Sequence, residues 1–287
     1  MYTPATIQIV RVSVPYPRAA RGQALDASQH KGVIFEDSTD SATKDPSFAD
    51  AGFRTIVLLL AGHMQNELNS LHKMFAWCLH AEPSGSSSPI EGLANGVQAQ
   101  IYARLLAGKL LEAWKALGSA FFGTKISQRL EDKLHPQAQE GLKKIKAYFS
   151  KPNTIYRVRN SFAFHYSVEE FDAHWHEPAD ESAFELVLGG TVGNNLDLAS
   201  ELVVNTALLN SINPADHSAA LKIFFKEVQS LAGSFTVFLE GAIMAILEEA
   251  SGSPLANQGR DEEIAPRQGF EDVAIPHFYN HGLKDGA

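Results

Sequence analysis

Large apolar residues recur every three or four positions over three long stretches of this chain, and that period leaves packed helices as the main solution. In the first stretch Leu60, Met64, Leu68, Leu71, Phe75, Cys78 and Leu79 share a stripe, which predicts a helix from about Phe53 to about His80. The second carries Tyr102, Leu106, Leu110, Trp114, Leu117 and Phe121, predicting a helix from about Val97 to Phe122 with Gly123 as its stop. The third starts near Pro214 and runs to about Glu249, with Phe224, Phe225, Val228, Leu231, Phe235, Phe238, Leu239 and Ile246 on a wide apolar face. Such faces need one another, so the expected fold is mainly α, an antiparallel helical bundle.

Shorter signals fill the gaps. Pro136 fits the first turn of a helix holding Leu142, Ile145 and Phe149, and Asn153 or Thr154 suits the cap of a segment from Ile155 to Tyr166. Another helix is expected over about Leu196 to Leu209. Ile7 to Val14 reads as a short strand stopped by Pro15 and Pro17, and alternation of Phe184, Leu186 and Leu188 before a glycine-rich loop suggests a small β element pairing with it. The minor β content is therefore one strand pair or hairpin. The resulting division is a strand and polar arm over 1–50, a helical domain over 51–250 and a tail over 251–287, where Phe278 and Tyr279 have the character to dock.

Composition narrows the setting. A net charge of -9 opposes broad coating of nucleic acid or anionic membrane. Cys78, the one cysteine, excludes an internal disulfide and sits on an apolar stripe, which predicts a buried, inert thiol in a cytoplasmic protein. Met1 to Val10 lacks the basic flank and apolar run of an export signal. The most apolar segment, Leu231 to Leu247, has 17 residues with Glu240 near its middle, so it is expected in the core and no membrane contact is expected.

One segment carries chemistry. Ile155-Tyr-Arg-Val-Arg-Asn-Ser-Phe-Ala-Phe-His-Tyr166 places Arg159, Asn160 and His165 in an aromatic frame that follows two long helices. Arg159-Asn160-x4-His165 resembles the HEPN family, helical bundles that carry an Arg, a following polar residue such as Asn, and a His four to six positions on. Arg129 and His135 share the spacing, but Leu130 follows the arginine and no aromatic frame surrounds them. The resemblance implies a metal-independent endoribonuclease with no cofactor, in which two protomers bring Arg and His to one cleft. It implies Arg159, Asn160 and His165 as catalytic residues, an RNA substrate, a homodimer, a role in toxin or antiphage defence, and an antitoxin or other protein as partner. Histidine suits proton transfer near neutral pH, and arginine presents a permanently charged planar fork to phosphate. On an ideal helix, Arg159 and His165 lie on flanks about 120° apart, so contact between them needs a distorted helix or a second protomer.

Charge patterning agrees with an anion near this segment. Lys143, Lys144, Lys146, Lys151, Arg157 and Arg159 put six positive charges into 17 residues without one acid, a candidate RNA-binding strip. The next 62 residues, Asn160 to Leu221, hold ten acids and no Lys or Arg, and could cover that strip. The competing expectation is a non-catalytic helical scaffold or regulatory subunit, with Arg159 paired to an acid such as Glu67 and His165 bonded in the core. His174 and His176 amid acids have some metal-ligand character, but no further ligand set is identifiable, and no metal site is expected. Gly189-Gly-Thr-Val-Gly193 lacks the Lys-Ser/Thr ending of a phosphate loop, and no Gly-x-Ser-x-Gly elbow exists.

Overall fold

The computed structural model describes residues 5–10, 46–80, 89–163, 167–174, 186–188, 194–257 and 259–264, with 269–270, 273 and 275–278 near the C-terminal end. In chain order the elements are β1 (Ala5–Val10), α1 (Pro46–His80), α2 (Pro89–Ala120), α3 (Lys125–Glu131), α4 (Pro136–Phe149), α5 (Thr154–Val158), α6 (Val168–His174), β2 (Leu186–Val187), β3 (Leu196–Asp197), α7 (Leu198–Ile212), α8 (His217–Ser251) and β4 (Gly259–Ile264). A π-helical turn, Arg159–Ala163, continues α5 directly. The described part is mainly helical, as the periodicity predicts.

Local chemistry sets most of the helix starts. Thr124 Oγ1 accepts from the Ser127 N–H, Asn153 Oδ1 from Tyr156, Asp197 Oδ1 from Ser200 and Asp216 Oδ1 from Ala219, each satisfying an otherwise orphaned donor of a first turn. His135 does the same for α4 through Nδ1 and the Ala138 N–H, with Pro136 in the first turn. The second Arg/His spacing in the chain therefore includes a helix cap. Gly123 at φ 76° ends the turn after α2, and Gly252 at φ 70° closes α8 with its N–H on the Glu248 carbonyl.

Packing pairs the long helices in opposite senses. Lys109 reaches Glu67 and Cys78 approaches Gln98 between α1 and α2, while Arg54 meets Glu249 and Thr236 meets Asn69 between α1 and α8. On the other side of α8, α4 packs so closely that Gly141 faces the Ser234 carbonyl and Gly241 faces Ala138. Phe75, Leu106, Leu110, Phe121, Phe224, Phe235 and Phe238 fill the space between these helices. Burying that much aromatic and aliphatic surface is the main source of stability. By length and composition α8 passes the test for a membrane span, yet half of its most apolar window is buried against the rest of the bundle, the core position expected of Leu231 to Leu247.

The β structure departs from expectation in its pairing. β1 runs antiparallel to β4, Ala5 opposite Ile264, whereas β2 pairs with β3. β4 reads Gly-Arg-Asp-Glu-Glu-Ile, which has no apolar alternation, so only backbone hydrogen bonding marks it as a strand. The β2–β3 pair seats Leu196 on Ala94 and Val97 at the start of α2, and Phe278 packs on the same cluster; Tyr279 lies outside the described residues.

Candidate functional site

α5 is anchored by Ile155 and Val158, both fully buried, which turns Tyr156 and Arg157 outward. Behind it the helix widens into the π turn, an irregularity that departs from the ideal α geometry assumed from sequence and recurs at functional sites. Arg159 opens this turn. Its Nε and Nη2 both donate to Glu112 Oε1 of α2 at 2.8 Å, and its Nη1 donates to Asn160 Oδ1 at 3.1 Å. Asn160 is exposed, and Phe162 packs on the core. His165, with Phe164 and Tyr166, lies outside the described residues.

The partner of Arg159 is thus Glu112; Glu67 is taken by Lys109 at 2.8 Å. Burial pushes the Glu112 carboxyl up, but the Lys115 hydrogen bond and the charges of Arg159 and Lys115 outweigh it, leaving the group below the usual carboxylate range. No sequence period singles out Glu112, because its pairing depends on how α2 rotates against α5.

The predicted basic strip divides. Lys146 bonds Glu131 at 2.8 Å and lies over the Phe122 ring, and Lys143 is simply exposed. Lys144, loosely paired with Glu140 at 3.9 Å, joins Lys151 and Arg157 along a groove. Two adjoining depressions of about 810 and 380 Å³ share Tyr148, Lys151 and Glu227 and make this groove continuous. Its fourth cation, Lys226 of α8, was invisible to the strip reading because it lies 67 residues beyond Arg159. Glu227, the groove's one carboxylate, accepts from the Tyr148 hydroxyl at 2.8 Å. Burial, and then the Glu227 hydrogen bond and charge, push the Tyr148 phenol well above its ordinary range, so it stays protonated. Tyr156 is exposed at the groove wall, and Arg157 donates to the Ser211 carbonyl at the end of α7.

Comparison with family models, with curated proteins and with solved structures finds no match for this chain.

Between α2, the π turn, α6 and α7 lies a cavity of about 210 Å³. Its polar end is Arg104 of α2, buried, with Nη2 on Glu201 Oε2 at 2.7 Å and Nη1 on Asn205 Oδ1 at 3.4 Å. Sequence reasoning missed both the cavity and the ion pair, since Arg104 looks like one polar break in an apolar stripe. Helix α6, Val168–His174, has no counterpart among the helices expected from the sequence. It holds His174 near Glu170 at 3.7 Å, while His176 lies outside the described residues. Among the described residues no group of three or more potential metal ligands converges. Cys78 is buried, and burial pushes its thiol up, away from reactivity.

Proposed function

We propose that the chain is a HEPN-like protein that binds and cleaves single-stranded RNA without a metal or cofactor, acting as a homodimer in the cytoplasm, in a toxin or defence role under control of a protein partner. The observation that carries this reading is the groove. Four cations from α4, α5, α8 and the loop between α4 and α5 converge there with an exposed tyrosine, on a protein whose net charge is -9. Cations spaced along a groove neutralise successive phosphates, and an exposed aromatic face stacks bases. Arg157, which lines the groove, stands two residues before Arg159 in the chain, although Arg159 and Asn160 do not line the groove themselves.

The chemistry follows from the residue types. The 2′-hydroxyl oxygen attacks the neighbouring phosphorus as His165 takes its proton, and the bond to the 5′ oxygen breaks, with a second proton donor protonating the leaving oxygen. Arg159 bonds the phosphate and steadies the charge that develops on its oxygens. Asn160 holds the guanidinium in plane from one side. Incubating the purified protein with total RNA and mapping new ends tests this. His165→Ala and Arg159→Ala are expected to lose cleavage with unchanged circular dichroism, and wild-type protein that neither cuts nor binds RNA refutes the reading.

One observation favours a scaffold instead: Glu112 already occupies the Arg159 guanidinium within a single chain. A partner-binding scaffold keeps that pair intact, whereas a nuclease must exchange it for phosphate. Glu112→Gln separates the two.

A further inference from the structure

The cavity beside the π turn differs from the groove in chemistry. Phe162 and Phe171 supply aromatic surface, and the Arg104–Glu201 pair with Asn205 lies at one end. A buried ion pair returns little net stability, because desolvating both charges costs about what their attraction provides. Apolar walls with a few fixed polar groups are instead the composition of a ligand pocket.

Charge and hydrogen-bonding capacity then select the ligand. One guanidinium faces two carboxylates, Glu170 and Glu201, so a phosphate is disfavoured inside. Glu201 offers acceptor sites beyond the one used by Arg104, and two bonds to Glu201 and Asn205 leave Arg104 with N–H groups to give. A flat neutral ring presenting adjacent donors to the carboxylate and an acceptor to the guanidinium satisfies both. Guanine has that edge: N1–H and the N2 amino group beside O6. Adenine would turn a ring acceptor toward the carboxylate, and uracil offers a single N–H between two carbonyls.

Position completes the argument. Ser200, Val204 and Ala207 of α7 line the cavity, and Ser211, one turn further along the same stripe, lines the groove. The rise from Ala207 to Ser211 is about 6 Å, so the nearest α7 residues of cavity and groove stand about one nucleotide step apart. We infer that the cavity receives an unstacked guanine base of the strand whose phosphates follow the groove; this rests on the RNA reading above and adds base specificity to it.

The test is fluorescence anisotropy of the full chain with labelled single-stranded uridine oligomers holding one central guanosine, adenosine or inosine. Guanosine should bind about tenfold tighter than adenosine, and inosine, which lacks the amino group, should fall between them. Glu201→Gln should erase the preference, and so should Val204→Phe, which fills the cavity while keeping Arg104, Glu201 and Asn205; thermal melts confirm that both fold. Lys226→Glu should weaken all three oligomers alike. Equal affinities, or a guanosine preference that survives both cavity variants, overturn the base pocket while leaving the groove intact. If no oligomer binds, the RNA reading falls, and a guanosine titration decides the pocket: saturable binding lost in Val204→Phe upholds it, and none ends it.

Discussion

Replacing Gly141 or Gly241 with alanine sets two effects of similar size against each other, and the structure decides which prevails. In a helix interior, Gly→Ala ordinarily stabilises by about 1 kcal/mol, because the more restricted backbone loses less entropy on folding. A Cβ on Gly141, however, would lie 2.8 Å from the Ser234 carbonyl oxygen, about 0.6 Å inside ordinary contact, and one on Gly241 would lie 2.4 Å from the Ala138 Cβ and 3.0 Å from His135 Nε2. Ser234 O and the Ala138 Cβ belong to a backbone or a rigid methyl, so α4 and α8 must separate. Overpacking of this kind costs about 1–3 kcal/mol. Gly241→Ala, with the closer approach, is therefore expected to destabilise by about 1–2 kcal/mol net, and Gly141→Ala by about 1 kcal/mol or less. Gly62 of α1 is the internal control: nothing lies within 4 Å of its Cβ position, so Gly62→Ala should stabilise by up to about 1 kcal/mol. Urea denaturation monitored by circular dichroism reads all three through the midpoint at constant slope. Equal stabilisation in the three variants would show that α4 and α8 are not in close contact, and the core arrangement described above would be wrong.

Glu112→Gln should leave stability within about 1 kcal/mol, since the pair is partly exposed, yet strengthen RNA retention by removing the carboxylate charge that competes with phosphate for Arg159; unchanged retention in a filter-binding assay would favour the scaffold. Lys151→Glu and Lys226→Glu should each weaken RNA binding and reduce the salt dependence of log K by about one phosphate contact, measured by anisotropy at several salt concentrations. Glu249 is held below the ordinary carboxylate range, chiefly by the Lys133 hydrogen bond and then by the Lys133, Arg129 and Arg54 charges that outweigh burial. Its contribution is present above the unfolded value of about 4.3 and is lost as pH falls through the folded one; Glu249→Gln should therefore destabilise at pH 7 and flatten the acid side of a stability profile. Tyr148 has the opposite sign: raised above its unfolded value of about 10, it adds stability that is lost on the alkaline side. Tyr148→Phe should remove about 1.5–3 kcal/mol at pH 7, as a hydrogen bond to a charged acceptor is lost, with a smaller alkaline slope; an unchanged melting temperature would refute the role given to the Tyr148–Glu227 bond.

Much of the helical frame is legible in the residues alone, because a 3.6-residue period, a capping side chain and a stop glycine are local causes. Asn153, Pro136 and Gly123 act where they stand. The starts of α1 at Pro46 and of α2 at Pro89 lie before the predicted ones, since positions 46–51 and 89–92 carry few apolar residues to extend the period. β4 escaped notice for a related reason: a strand of charged residues is recognised only by the backbone opposite it.

The candidate site divides along the same line. Sequence by itself determined that the molecule would be a helical bundle, that Arg159 and Asn160 would sit together on a short segment after two long helices, and that cations would gather before them. Those are consequences of neighbours along the chain, acting within a turn or two. Only the tertiary structure decided that Glu112 holds Arg159, that Lys226 joins Lys144, Lys151 and Arg157 in one groove, and that Arg104 and Glu201, 97 residues apart, meet beside a cavity. Side chains that far apart interact only after helix packing has fixed the rotation of α2, α7 and α8. That rotation is chosen by the burial of Phe121, Phe235, Phe238 and their neighbours, and the polar groups are carried to their partners by it.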